Sequence, residues 1–209
     1  MEKIKIRGLI LDYGGVISQP QNRQNVDNIL RLLGQDYDDF MQVYYDLRVG
    51  YDSGQLSGEE YWIRVLRHFS LNPNGFDLSN FIHEDVKSWT VLNDSVLQYL
   101  KENRDRIPKL AMISNMVEDT LVFMREHYDW LDLFDELVFS CELGVNKPEK
   151  EIYEICLRKL MIPPGECLFV DDSVKNVNGA VDSGMRAIQF TTFSRFLHEI
   201  EEKYLISPY

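Results

Sequence analysis

The chain is short of positive charge. Among 209 residues, 22 Lys and Arg stand against 34 Asp and Glu, a net charge of −12. A nucleic-acid backbone needs a basic face, so no nucleic-acid partner is expected. A phosphorylated small molecule is still admissible, because one local cation or bound metal reverses the field at a single site. Cysteine is scarce and odd in number. Cys141, Cys156 and Cys167 have no C-x-x-C spacing, which suits reduced thiols of a cytoplasmic protein rather than a disulfide framework. No apolar run reaches the roughly 18 residues a spanning helix needs, so no membrane association is expected. Met1–Arg7 alternates charge without an apolar stretch and does not read as a signal peptide. The histidines, His68, His83, His127 and His198, are scattered without ligand spacing.

What the chain does have is an ordinary core-forming composition, 44% hydrophobic and 12% aromatic. That suits one domain, or one domain carrying an insertion. The stretch Leu9-Ile10-Leu11-Asp12-Tyr13-Gly14-Gly15-Val16 is the most informative. A short apolar run ending on an acid and followed by glycines suits a buried parallel strand, expected over Ile6–Asp12. Open α/β sheets place their ligands at such carboxyl ends. A loop is expected over Gly14–Gln24.

The chain then changes character. Val26, Ile29, Leu30 and Leu33 recur at helical spacing before Gly34, and a second helix is expected from Asp38 to about Val49. Ser57 with Glu60 forms a capping-box pattern opening a third. A fourth is expected over Leu78–Trp89. No strand interrupts these helices. From Thr90 onward strands and helices alternate: helix Asn93–Asn103, strand Leu110–Ile113, helix from Glu118 to Tyr128, and strand Leu137–Phe139. A helix opened by Pro148 follows, then strand Cys167–Val170, a helix ending at Gly184, a last strand Arg186–Phe190 and a terminal helix. The pattern predicts an α/β fold, a doubly wound, Rossmann-like, mainly parallel sheet. Residues 1–18 and 91–209 are expected to form its core, with 19–90 inserted as a helical unit.

Three apolar strands end on a residue able to do chemistry: Asp12, Ser114 and the pair Asp171-Asp172. In a parallel sheet these ends share one edge. Lys147 lies in a loop between the last two. A carboxylate nucleophile, a hydroxyl, a cation and metal-binding acids could thus meet in one crevice.

With these residues the sequence resembles the haloacid dehalogenase-like hydrolase superfamily. Four motifs stand in the family's order: Leu11-Asp12-Tyr13-Gly14-Gly15-Val16; Met112-Ile113-Ser114-Asn115; Lys147-Pro148; and Val170-Asp171-Asp172-Ser173 with Asn176. The helical interruption falls where the family inserts its cap. Small sugar-phosphate phosphatases and the phosphatase half of soluble epoxide hydrolases are the most similar subgroups. The resemblance implies an Mg2+-dependent phosphatase acting on a small phosphorylated metabolite. Asp12 would attack phosphorus to form an aspartyl-phosphate, which water hydrolyses. Asp12, the Gly14 carbonyl and Asp172 would hold Mg2+. The Ser114 hydroxyl, the Asn115 N–H and Lys147 would hold the phosphoryl oxygens. Asp171 and Asn176 would orient Asp172 and Lys147 from behind.

One position departs from the family. Its phosphatases usually carry a second aspartate two residues after the nucleophile, and here that residue is Gly14. General acid help is worth about 10²–10⁴ in rate. Its loss favours leaving groups needing little protonation, such as that of a sugar 1-phosphate, unless a cap or substrate group replaces it. It also keeps two alternatives open, a metal-independent dehalogenase-type hydrolase and a weakly catalytic phosphate-binding or regulatory protein. The cap aromatics Tyr44, Tyr45, Tyr51, Tyr61 and Trp62 are expected to be core rather than pocket.

Overall fold

The computed structural model describes residues 3–207. Strand β1 (Ile4–Ile6) is followed by β2 (Gly8–Leu11), β3 (Lys109–Ser114), β4 (Glu136–Phe139), β5 (Cys167–Asp171), β6 (Arg186–Gln189) and β7 (Tyr204–Ile206). Five of them form one parallel sheet in the order β4-β3-β2-β5-β6. Leu9 and Leu11 of β2 pack with Leu110, Met112, Leu168 and Val170 on one face. Ile10 packs with Ala111, Ile113, Cys167 and Phe169 on the other. Side chains alternate faces along a strand, and both faces here are covered, so the strands read as unbroken apolar runs.

The first face is covered by α5 (Asp94–Asn103), α6 (Glu118–His127) and α10 (Phe193–Lys203). The second is covered by α8 (Lys150–Leu160) and α9 (Val174–Asp182). Between β2 and β3 lie α1 (Arg23–Leu33), α2 (Tyr37–Asp52), α3 (Gly58–His68) and α4 (Leu78–Ser88). These four helices have a core of their own, built on Val26, Ile29, Phe40, Tyr44, Tyr61, Trp62 and Phe81. Gly34 ends α1 in the left-handed conformation, φ 65°, which glycine adopts without strain. Ser57 and Glu60 form both halves of the capping box on α3. The chain leaves and re-enters the sheet layer side by side, where Ser18 and Leu92 form an antiparallel bridge.

Five details differ from the sequence expectations. The strand expected over Ile6–Asp12 is interrupted at Arg7, whose N–H donates to the Glu166 carbonyl (2.8 Å). The portion before it, β1, pairs in parallel with β7, a strand absent from the sequence reading. Pro148 does not open α8: it follows Lys147 through a cis peptide bond, and Glu149 is the N-cap. A wide turn at Tyr13–Ile17, non-helical at Gly14 and Gly15 and closed by the Ser18 N–H on the Tyr13 carbonyl, occupies the start of the expected loop, and a short helix α7 (Ser140–Leu143) precedes the Lys147 loop. All three cysteines are free. Among the described residues no helix is long and apolar enough to cross a membrane.

Candidate active site

The carboxyl edge of the sheet gathers the chemistry. β2 runs directly into Asp12, β3 ends on Ser114, and β5 ends on Asp171 with Asp172 next. Lys147 reaches in from the loop after α7. Its Nζ donates to Asp171 Oδ2 (2.7 Å) and the Ile113 carbonyl (3.0 Å), and lies 2.7 Å from Asp12 Oδ1. The lysine is almost wholly buried, at 4% exposure. Burial alone would lower its pKa, but Asp12 and Asp171 more than offset this and raise it, so it is a fixed cation.

Each neighbour has a separate duty. Asp171 is fully buried and its oxygens are taken: Ser173 N–H donates to Oδ1 (2.9 Å), Asn176 Nδ2 to both (3.1 Å each), and Lys147 to Oδ2. Asp171 and Asn176 therefore orient Lys147. No hydrogen bond joins their side chains to Asp172 among the described residues, so that part of the expected arrangement does not form. The Asn115 side chain clasps the Lys147 peptide, accepting from its N–H (2.7 Å) and donating to its carbonyl (3.0 Å). The Ser114 hydroxyl has only a long contact to the Asn115 carbonyl (3.4 Å). It keeps capacity for a ligand.

Asp12, Asp171 and Asp172 each offer a carboxylate oxygen within 4.8 Å of the others. With Asp171 committed, Asp12 Oδ2 has no protein donor among the described residues, and the Asp172 carboxylate is met by its own and the Ser173 backbone N–H. Burial, opposed by Lys147 and reinforced by Asp171 and Asp172, pushes the Asp12 pKa up. Partial burial and Asp171 push Asp172 up as well. This set of hard oxygen donors, crowded with like charge, fits Mg2+, which takes one or two carboxylates and keeps its other positions for water or substrate. Gly15, at φ 71°, makes the arrangement possible, since a Cβ there would collide with Asp172 Oδ2.

The same residues line a cavity of about 320 Å3 between the sheet edge and the helical insertion. Asp12, Gly14, Ser114, Asn115, Lys147, Asp172 and Asn176 all contribute to it. So do several groups the sequence reading missed: Tyr45, Arg48 and Asp52 of α2, Trp89 just after α4, and Thr120 of α6. Tyr45 is thus an exception to the expected core role of the aromatics, whereas Tyr44, Tyr51, Tyr61 and Trp62 are buried as expected. Arg48 is held from both sides. Its Nη1 donates to the two oxygens of fully buried Asp85 (2.9 and 2.8 Å) and to the Tyr44 hydroxyl, while Nε donates to Asp52 Oδ1 (3.0 Å). The Thr120 hydroxyl is buried without a partner. The local cue for Arg48 in the sequence is limited to its place one helical turn after Tyr44 and one before the acid Asp52.

Comparisons with known proteins agree with the fold. A family model described as haloacid dehalogenase-like hydrolase matches residues 6–184. The chain belongs to this hydrolase family. It is 25% identical over 194 residues to D-ribitol-5-phosphate phosphatase of Bacteroides thetaiotaomicron, covering 88% of this chain and 91% of the relative. It is also 25% identical over 186 residues to drimenol cyclase drtB of Aspergillus calidoustus, covering 88% of this chain but spanning only 34% of that longer protein. The fold superimposes on a HAD family enzyme of B. thetaiotaomicron in complex with magnesium and inorganic phosphate, with TM-score 0.74, 19% identity, and coverage of 91% and 98% of the two chains.

Proposed function

We propose that this hydrolase is a cytoplasmic, Mg2+-dependent phosphomonoesterase of small phosphorylated metabolites, with residues 19–90 serving as a cap over the site. One observation carries the reading. Lys147 pairs with Asp12 and Asp171, while Asp12 Oδ2 and the Asp172 carboxylate, on residues that line the cavity, receive no side-chain donor among the described residues. A metal-independent halide hydrolase does not need a second carboxylate to hold a cation, so Asp172 beside Asp12 favours the metal-dependent reading. The names of the phosphatase relative and of the magnesium–phosphate complex support the same reading.

In this reading Asp12, the Gly14 carbonyl and Asp172 hold Mg2+, which when bound supplies positive charge against the phosphoryl oxygens. Asp12 attacks phosphorus and becomes an aspartyl-phosphate, later hydrolysed by water. Ser114, the Asn115 N–H and Lys147 hold the transferring group in place, and positioning with charge neutralisation is most of what phosphoryl transfer requires. The helical cap excludes bulk water during the reaction.

The test is hydrolysis of a panel of phosphorylated metabolites with Mg2+ and with EDTA, beside Asp12→Asn. Release of phosphate that stops with EDTA and with the variant is expected. Full activity of Asp12→Asn would overturn the mechanism. Gly14 supports a second reading, a weakly catalytic phosphate-binding protein, which predicts Mg2+-dependent binding of beryllofluoride without turnover of any panel member.

A further inference from the structure

Gly14 leaves the leaving group without the acid that normally protonates it. A Cβ built on Gly14 would lie 3.4 Å from Cζ3 of Trp89, in van der Waals contact, so the indole walls one side of that position. The acid, if the reaction uses one, has to come from another wall of the cavity. Asp52 is the carboxylate on the cap side of that cavity.

We propose that Asp52 is the general acid of this enzyme, supplied from the last turn of α2 in place of a side chain at position 14. The inference rests on the phosphomonoesterase reading above. Three features of the structure carry it. First, Asp52 is half in and half out of the hydrogen-bond network. Its Oδ1 accepts from Arg48 Nε (3.0 Å), while Oδ2 has no partner among the described residues. Second, its backbone is anchored to the catalytic layer. Ser140 Oγ donates to the Asp52 carbonyl and itself accepts from Met116 N–H (2.9 Å), and Asn146, next to Lys147, donates to the Val49 carbonyl (2.9 Å). Gly54, at φ 71°, turns the chain against the Cys141 carbonyl where any side chain would collide. The end of α2 is thereby fixed relative to the Lys147 loop, as a proton donor requires. Third, burial of Asp52 favours retention of a proton. Burial raises its pKa, Arg48 and Lys147 oppose this, and Asp85 reinforces it. Arg48 is shared with Asp85, so Asp52 does not have a cation to itself.

The proton balance closes within the site. As the Asp12 oxygen bonds to phosphorus, the bond from phosphorus to the leaving oxygen breaks. The Asp52 proton passes to that oxygen, giving a neutral alcohol, the Asp52 carboxylate and the aspartyl-phosphate. In the second half, water attacks phosphorus, its proton passes to the Asp52 carboxylate, and the bond from phosphorus to Asp12 breaks. Inorganic phosphate leaves, and both side chains return to their starting states.

The experiment compares Asp52→Asn with wild type on p-nitrophenyl phosphate, whose leaving group needs no proton, and on glucose 6-phosphate, whose leaving group does. Asn keeps an acceptor for Arg48 Nε. The expected result is a loss of about 10²–10⁴ in kcat/KM on the alkyl ester, with kcat/KM on the aryl ester within a few-fold of wild type. A burst of p-nitrophenol should accompany the variant's slowed dephosphorylation. Asp52→Glu, which keeps an acid, should recover part of the alkyl activity. Equal losses on both esters, or no loss on either, would overturn the role of Asp52 while leaving the phosphomonoesterase reading intact. Wild type that hydrolyses neither ester nor any panel member would overturn both. Should Asp52→Asn fail to fold, Asp52→Glu decides through the same ratio: an aryl-to-alkyl preference unchanged from wild type despite a displaced carboxyl overturns the proposal.

Discussion

Trp89 lies over Gly14, its Cζ3 3.4 Å from where a Cβ would stand. The glycine is therefore not a gap in the site but one half of a contact. Its backbone, at φ −64° and ψ 126°, is accessible to any residue, so the indole and not backbone strain limits what fits there. Gly14→Ala should fold with stability within about 0.5 kcal/mol of wild type. Gly14→Asp should lose roughly 1–3 kcal/mol through overpacking and gain no phosphatase activity. Adding Trp89→Ala should make the aspartate less costly, a coupling that denaturant titration of the double-mutant cycle reads directly. Strict additivity of the two changes would contradict the contact.

The ion pair of Arg48 and Asp85 differs from the surface pairs of the same chain. Asp85 is fully buried and receives both Arg48 and the Tyr44 hydroxyl (2.5 Å), whereas Arg23 and Asp27 stand exposed one helical turn apart. Arg48→Met strands a buried carboxylate and should cost about 3–5 kcal/mol. Arg23→Ala should leave stability nearly unchanged, and any effect should become smaller still in salt. Urea unfolding of the two variants measures the difference. Equal effects would mean that Asp85 is not dependent on its partner.

How far the sequence revealed this arrangement depended on the range of the interaction. Asp12, Ser114, Lys147 and the Asp171-Asp172 pair stand at strand ends or in short loops, so a local pattern was enough to bring them to one edge. Ser57 with Glu60, and Gly34, were legible for the same reason, since a cap involves residues a few positions apart. The pairing of β1 with β7 was not, because Ile4 and Tyr204 lie at opposite ends of the chain and each strand is only three residues long. The cavity wall formed by Tyr45, Arg48, Asp52, Trp89 and Thr120 was hidden differently. It depends on how the helical insertion sits against the sheet, which periodicity within one helix does not encode.

Lys147 stands between the carboxylates of Asp12 and Asp171, and both roles assigned to it can be separated. Lys147→Met removes the ammonium while keeping much of the side-chain volume. It leaves Asp171 buried with Asn176 and Ser173 N–H but without a counter-charge. Loss of about 3–5 kcal/mol is expected, with at least a 10²-fold fall in turnover from the missing phosphoryl contact. Lys147→Met combined with Asp171→Asn should regain stability, because the amide no longer needs the cation, yet regain no activity. Recovery of activity in the double variant would mean that the lysine serves only to balance Asp171.

The crowding of Asp12, Asp171 and Asp172 makes opposite predictions with and without a divalent cation. Without one, Asp172→Asn removes a like charge and should leave the protein as stable as wild type or more so. With Mg2+ the order should reverse. A ligand that binds the folded state at a hundred times its Kd adds about 2.7 kcal/mol, and a chain of this size moves about 2–4 °C in Tm per kcal/mol. Wild type should therefore gain roughly 5–10 °C in Tm on saturation with Mg2+, and EDTA should reverse the gain. Asp172→Asn should gain much less, and Gly15→Ala should behave like it, because a Cβ at that position displaces the Asp172 carboxylate. Thermal scans across a Mg2+ series check all three. An equal Mg2+-dependent rise in Asp172→Asn would mean that the cation binds elsewhere, and a fall in its metal-free Tm would mean that Asp172 is not under repulsion.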